Sequence, residues 1–291
     1  RTGEAGDLPD TGDRRTPIIF LHRIMLSKSQ IPSNKRQLLA LVVILTVCII
    51  KFFSSAINQF LWNDLEAPHF YWSILGQILY YGIPAFAVLA TFHGPGRVLE
   101  EACIAKGFLK GALVGFLFTL PMLIGYAVVG RYHHETSLLK IVTFSFKDGF
   151  REELFYRAFL FGQLFRHVGW GFFPAVAING IIFGLSHLYQ AHNLSESFGV
   201  FGITFGGSIW FAWLLTEWED NLWVPVFLHF LMNLYWDLFG TDSTVVGDLA
   251  FNIPRILTVA ASIYLTIKWK QSRSLPLRVK RTNMLRPHGQ P

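Results

Sequence analysis

The chain is short of charge and short of cysteine. Of its 291 residues 15% are charged, against about 25% in a soluble domain, while 52% are hydrophobic and the mean hydropathy is +0.39. A deficit of that size excludes an ordinary water-soluble domain. Two cysteines, Cys48 and Cys103, leave no room for a disulfide framework or a thiolate metal site. Cys48 lies in an apolar run and reads as a small buried hydrophobe. Residues 1–16 are polar and hold no apolar core of the kind a cleavable signal requires. There is no G-x-S-x-G elbow around a nucleophilic serine, and no H-E-x-x-H helix for zinc. Regular alternation of polar and apolar residues is missing too, which argues against strands.

What the chain does have is long apolar runs and aromatic rings. Phenylalanine occurs 28 times, and Trp and Tyr together 18 times. A span needs about 20 mostly apolar residues, and eight stretches qualify as candidates: 37–58, 70–92, 108–129, 141–166, 172–190, 198–217, 222–239 and 250–269. Lipid offers the backbone no hydrogen-bond partner, so these are expected to be helices. The fold class is all-α, a polytopic transmembrane bundle with a polar cavity inside the membrane. The net charge of +6 is not a nucleic-acid signature, because it is concentrated at the ends. Seven Lys or Arg fall in residues 1–37 and seven in 268–286. Two basic ends and an even number of spans place both termini in the cytoplasm.

Three regions follow: a basic tail over 1–36 with an interfacial segment at 17–31, a membrane domain over 37–269 with its core at about 105–240, and a basic tail over 270–291. Pro84, Pro121, Pro174 and Pro225 mark kinks or helix starts. The small residues of 202–210 (GITFGGSIW) are expected to let helices approach closely. Lys51 is expected to extend to the outer interface. His133-His134-Glu135 and Glu100-Glu101 read as solvated loops. The Asn193-Leu194-Ser195 sequon reads as an outside loop.

Ionisable groups inside a span are costly and usually mark function. They occur in three places. FREELFYR brings Glu152, Glu153 and Arg157; FGLSH brings Phe183 and His187; HFLMN brings His229 and Asn233, followed by Tyr235, Trp236 and Asp237. Any one buried histidine is usually a packing residue, and the argument rests on three helices each carrying such a group. Glu153 and Arg157 are four apart with the acid first, the better orientation for an intrahelical ion pair. Glu152 then has no local cation and points to another helix. Phe183 and His187 share a face, as do His229 and Asn233. Brought together, these residues give a carboxylate, two imidazoles and an amide at low dielectric. Burial raises a carboxyl group's pKa toward neutrality, where it serves as general base on water. Imidazole and amide donate hydrogen bonds to an oxyanion. The set suits hydrolysis of an acyl bond by activated water.

The motifs E-E-x-x-x-R, F-x-x-x-H and H-x-x-x-N, in this order on successive helices, resemble those of the CPBP (ABI) family of intramembrane glutamic endopeptidases, which includes the type II CAAX prenyl endopeptidases. The resemblance covers about residues 105–240. It implies a metal-independent protease in which Glu152 and His187 activate water, His229 and Asn233 form an oxyanion site, and Glu153, Arg157 and Phe183 support them. It implies no cofactor and no metal. The partners implied are the bilayer and a membrane-anchored or lipidated protein or peptide, with no nucleic acid. The expected location is the bacterial inner membrane ahead of the endoplasmic reticulum. Two alternatives stay open: a non-catalytic immunity or scaffold protein of the same family, and a zinc-dependent membrane protease using Glu152, His187 and His229. The charge pattern makes one expectation directly measurable. Reporter fusions at Leu65 and Lys280 are expected on opposite sides of the membrane, and finding both on one side would overturn the topology.

Overall fold

The computed structural model describes residues 31–59, 74–132, 137–239 and 246–285. The segments 17–30 and 133–136 discussed above, and Leu65, lie outside them. The described residues are helical, with no strand among them. In chain order the helices are α1 (Ser33–Gln59), α2 (Ile83–His93) preceded by a π-turn (Ile78–Gly82), the short α3 (Val98–Glu101), α4 (Phe108–Val129), α5 (Leu138–Glu152), α6 (Phe172–Leu185), α7 (Leu194–Glu217), α8 (Trp223–Phe239) and α9 (Leu249–Ser272). Pro174 and Pro225 each fall in a first turn, where a missing N–H costs nothing, and Pro84 follows directly on the π-turn inside the helical stretch Ile74–His93. Asn193 caps α7 by accepting from the Glu196 amide.

Between α5 and α6 the chain does not continue as the plain helix expected over 141–166. It widens into π-helical turns, Glu153–Phe161 and Leu164–Val168. Every residue of ELFYRAFLF is buried. Its aromatic and aliphatic side chains point in all directions, and a helix apolar all round belongs inside the bundle. The segment packs against α1, α6 and α7, while α8 packs against α4 and α5.

Six helical stretches among the described residues are long and apolar enough to cross a membrane: Ser33–Ser54, Ile74–His93, Phe108–Val129, Phe172–Gln190, Leu194–Glu217 and Leu249–Ser272. Two of the eight expected spans are not in this set. They are the two that carry E-E-x-x-x-R and H-x-x-x-N. The first holds Lys147, Asp148, Arg151, Glu152, Glu153 and Arg157, and α8 has only 17 residues. Both are shielded by neighbouring helices, so neither has to meet the composition that lipid demands.

Helices approach closely where glycines face them. A Cβ on Gly111 would lie 2.4 Å from the Trp223 Cβ, one on Gly115 2.7 Å from the Phe227 Cβ, and one on Gly149 3.0 Å from the Phe230 amide nitrogen. These glycines of α4 and α5 therefore seat α8. Gly180 and Gly184 of α6 likewise receive the rings of Phe205 and Phe201. The glycines of 202–210 do not play the expected part, since Gly202, Gly206 and Gly207 have nothing within 4 Å of a built Cβ, whereas Ser208 is fully buried.

Three polar residues sit elsewhere than expected. Lys51 lines a cavity open to the surface, Cys48 is exposed beside it, and Glu101 is buried at 1% exposure. At one end of the bundle the acidic turn after α7 meets the C-terminal segment. Glu217 pairs with Lys270 at 2.7 Å and accepts the backbone amides of Arg278 and Val279, while Asp220 accepts from Arg278. Residues 275–285 thus pack onto the bundle, with Asn283 fully buried. The close α4–α8 contact yields a measurable contrast. Gly111→Ala is expected to lower stability by about 1–3 kcal/mol through overpacking, and Gly206→Ala to leave it unchanged or slightly raised, both read from thermal unfolding in detergent.

Candidate active site

The junction of α5 with the π-helical segment sets the site. Adjacent residues on a helix point in different directions, and Glu152 and Glu153 accordingly enter different surroundings. Glu153 is fully buried, and its Oε1 lies 3.4 Å from Arg157 Nη1 and 2.7 Å from His229 Nδ1. The pair expected from the four-residue spacing is present, and His229 of α8 is the closer partner. Burying an ion pair is costly unless other groups satisfy it. Here Arg157 lies 4.4 Å from the Phe183 ring and 5.2 Å from the Phe211 ring, with Ser208 Oγ at 3.5 Å. The guanidinium is held between aromatic faces, which attract a cation most strongly when both are out of water.

Glu152 is not without a local cation, contrary to the reading from spacing. Its Oε1 accepts from Arg151 Nη2 at 2.6 Å. Arg151 in turn lies 3.5 Å from Asp148 and over the Tyr81 ring at 5.3 Å. The helix rule that neighbours do not face each other describes Cβ directions, and a long guanidinium arm reaches back past it. The other oxygen of Glu152, Oε2, lies 3.8 Å from His229 Nε2. One imidazole therefore stands between the two glutamates, with Phe211 stacked on it at 5.1 Å.

His187 follows the last turn of α6. Its Nδ1 is 2.8 Å from the Phe183 carbonyl oxygen, and the two rings lie 4.3 Å apart. A carbonyl accepts only, so Nδ1 carries the proton and Nε2 is left as the free lone pair. Ser186 hydrogen-bonds the Phe183 carbonyl rather than standing free as a nucleophile, and Tyr156 approaches it at 3.4 Å.

Glu152 and His187 line one cavity of about 650 Å³, together with Lys51, Tyr81, Arg151 and Tyr156. Apolar residues of α1 and α6, Phe52, Ile182 and Leu185, form much of the remaining wall. His229 reaches the cavity's edge through Glu152. Asn233 is half-buried one turn further along α8, and Asp237, near the end of that helix, accepts a hydrogen bond from Ser145. Glu153 and Arg157 stand behind the cavity wall. Reading the sequence passed over Arg151, Tyr81 and Phe211, and placed Lys51 at the interface instead of the cavity. Arg151 is flagged by lying beside Glu152; nothing in the local pattern distinguishes Phe211 from the other aromatics of α7.

A zinc centre built from Glu152, His187 and His229 is not supported by this geometry. Among the described residues the ligand atoms that converge within 4.8 Å are those of His93, Glu101 and His167. At the cavity Arg151 occupies one oxygen of Glu152 and Glu153 occupies one nitrogen of His229.

Comparison with known proteins adds a direction. Residues 134–235 match the family model described as "Type II CAAX prenyl endopeptidase Rce1-like", a stretch that contains all three motifs. The "Putative membrane peptidase YdiL" of Bacillus subtilis (strain 168) is 32% identical over 97 residues, 33% of this chain and 35% of that protein. The chain thus spans about a third of the length of that curated relative. No solved structure matches. Over the matched residues, the resemblance to the CPBP family and its type II CAAX prenyl endopeptidases holds.

The two glutamates differ in a way that stability measurements resolve. Glu153→Gln would strand a buried guanidinium, and breaking a buried pair costs about 3–5 kcal/mol. Glu152, at 13% side-chain exposure beside a cavity, is expected to tolerate the same change with a much smaller loss. Equal melting temperatures for Glu152→Gln and Glu153→Gln in detergent would show that Glu153 is not the structural member.

Proposed function

We propose, starting from a chain whose residues 134–235 are similar to the type II CAAX prenyl endopeptidases, that this is an intramembrane endopeptidase of glutamic type. It hydrolyses a peptide bond of a membrane-anchored or lipidated substrate with a water activated by Glu152 and His187. The observation that carries the reading is that these two side chains line one cavity, open to the surface and bounded by apolar residues of α1 and α6.

Each residue has a role that its contacts make reasonable. Arg151 holds one oxygen of Glu152, which fixes the carboxylate and leaves Oε2 directed into the space before His229. The 3.8 Å between Oε2 and His229 Nε2 is too long for a direct hydrogen bond and suits a water touching both. His187, with Nδ1 tied to a backbone carbonyl, presents Nε2 as the second acceptor for that water. Loss of the water proton to this pair lets the oxygen attack the scissile carbonyl carbon. His229, its Nδ1–H given to Glu153, in its protonated form donates from Nε2 to the resulting oxyanion beside the Asn233 carboxamide. Collapse of the intermediate breaks the C–N bond, and the proton taken from water passes to the leaving amine. The product pair is a new carboxylate and a new amine, with no covalent enzyme intermediate. The bacterial inner membrane, with both termini in the cytoplasm, is the location this reading adopts.

The reaction makes two measurable commitments. Glu152→Gln and His187→Gln, reconstituted in proteoliposomes with a prenylated or acyl-anchored peptide, are expected to lose activity by about 10²–10⁴-fold, as removal of a general base does, while retaining the wild-type melting temperature within experimental scatter. In labelled water the new carboxyl group is expected to carry the label. Full cleavage by Glu152→Gln would overturn Glu152 as the base, and an undiminished cellular effect of a non-cleaving Glu152→Gln would favour a scaffold over an enzyme.

A further inference from the structure

A second cluster of chemistry-bearing side chains lies away from the cavity, and the proposed reaction does not use it. His93 ends α2, Glu101 ends α3, and His167 lies near the end of the π-helical segment, one residue before Val168 and the turn at Gly169. All three are buried, at 8, 1 and 9% exposure. Residues 94–107 form polar turns in the sequence, and Glu101 is expected there in water. The chain instead folds Glu101 inward against a histidine 66 positions later.

The polar atoms of this cluster are only partly used up by one another. His167 Nε2 pairs with Glu101 Oε2 at 2.6 Å. His93 Nδ1 is buried without a hydrogen-bond partner. His93 Nδ1 lies 3.8 Å from Glu101 Oε1. The two rings meet edge to face at 4.4 Å. A buried imidazole lone pair such as that of His93 Nδ1 is costly to leave without a partner.

We propose that His93 Nδ1, the Glu101 carboxylate and His167 Nε2 form a zinc site that pins the α2–α3 corner to the end of the segment carrying Glu153. The donor set is two imidazoles and a carboxylate, which suits Zn²⁺ with a water completing the tetrahedron. Bonds of about 2.0–2.1 Å at a tetrahedral centre put ligand atoms roughly 3.3 Å apart. The candidate ligand atoms of the three residues all lie within 4.8 Å of one another, so modest side-chain adjustments bring them to that spacing. An outer partner is already in place. His93 Nε2 lies 2.7 Å from Gln163 Oε1, and an amide oxygen only accepts. The ring proton is therefore on Nε2 and the lone pair on Nδ1, the arrangement seen in metal-ligating histidines. His93 and His167 both sit at helix C-terminal ends, where the backbone dipole favours a cation.

Two cations lie close and must be reckoned with. Arg97 donates to Glu101 Oε1, and Arg166 Nη1 stands 3.8 Å from Oε2 while its Nη2 donates to the Glu101 backbone oxygen at 2.6 Å. Arg97 is also paired with Glu100 at 3.6 Å, and its contact with Oε1 leaves Oε2 as the metal-facing oxygen. This site stands outside the expectation of a metal-free protein, which weighed only Glu152, His187 and His229.

The test uses the full chain in detergent, stripped with a chelator and then dialysed against zinc. Metal analysis is expected to find one zinc per chain in the wild type and in His187→Gln, and none in His93→Gln or His167→Gln. Zinc is expected to raise the melting temperature of the wild type, as a ligand of the folded state must, and to leave that of His93→Gln unchanged. X-ray absorption at the zinc edge of the wild type should show two imidazoles among nitrogen and oxygen neighbours, a result that stands even if a variant fails to fold. A wild type that retains no zinc, zinc retained by both His93→Gln and His167→Gln, or zinc lost in His187→Gln and kept in His93→Gln would each overturn the proposal. None of these readings depends on whether the protein cleaves peptides.

Discussion

The Glu153 carboxylate, buried to zero exposure, is the constraint around which the other helices are arranged. A charge removed from water must be met by partners in place. They come from four elements: Arg157 from its own segment, His229 from α8, and the rings and hydroxyl that hold Arg157 from α6 and α7. Each contact fixes the depth and rotation of one helix. His187 stands four residues beyond Phe183, the residue packed on Arg157. The same ion cluster therefore sets the register of α6 that carries His187 to the cavity.

This arrangement needs α8 close to α5, and glycine makes that possible. Gly149 lies one turn before Glu153 and faces the His229–Phe230 backbone. A side chain there would push the imidazole off the carboxylate. Gly111 and Gly115 do the same for the other flank of α8. In hydrocarbon, where burying apolar surface between helices gains little, such close packing is a principal source of association.

The helical bundle was legible because hydropathy alone forces it. The two motif-bearing segments were legible as helices, but their charges and the shortness of α8 keep them out of the set of apolar spans, because protein rather than lipid surrounds them. The Glu153–Arg157 contact follows from spacing along one segment. The contact of Glu153 with His229 joins positions 76 apart, and no periodicity reports it. Arg151 was missed because its reach exceeds what its backbone direction implies. Glu101 was misread as solvated because a burying partner 66 residues away leaves no local trace. Lys51 was assigned to the interface on the assumption that α1 faces only lipid and water, when its inner face borders a cavity.

The segment 275–285 acts as a clasp. It supplies backbone amides to Glu217 and its Met284 carbonyl to the Phe173 amide at the start of α6. Synthesis runs from the N-terminus, and domains form in that order. Helices α1 to α9 are therefore made before the segment that ties α6, α7 and α9 together at this end. During that interval Glu217 has Lys270 but not its two amides, and the first turn of α6 has an open donor. A chain interrupted after α9 would contain these helices and still lack the clasp that closes them.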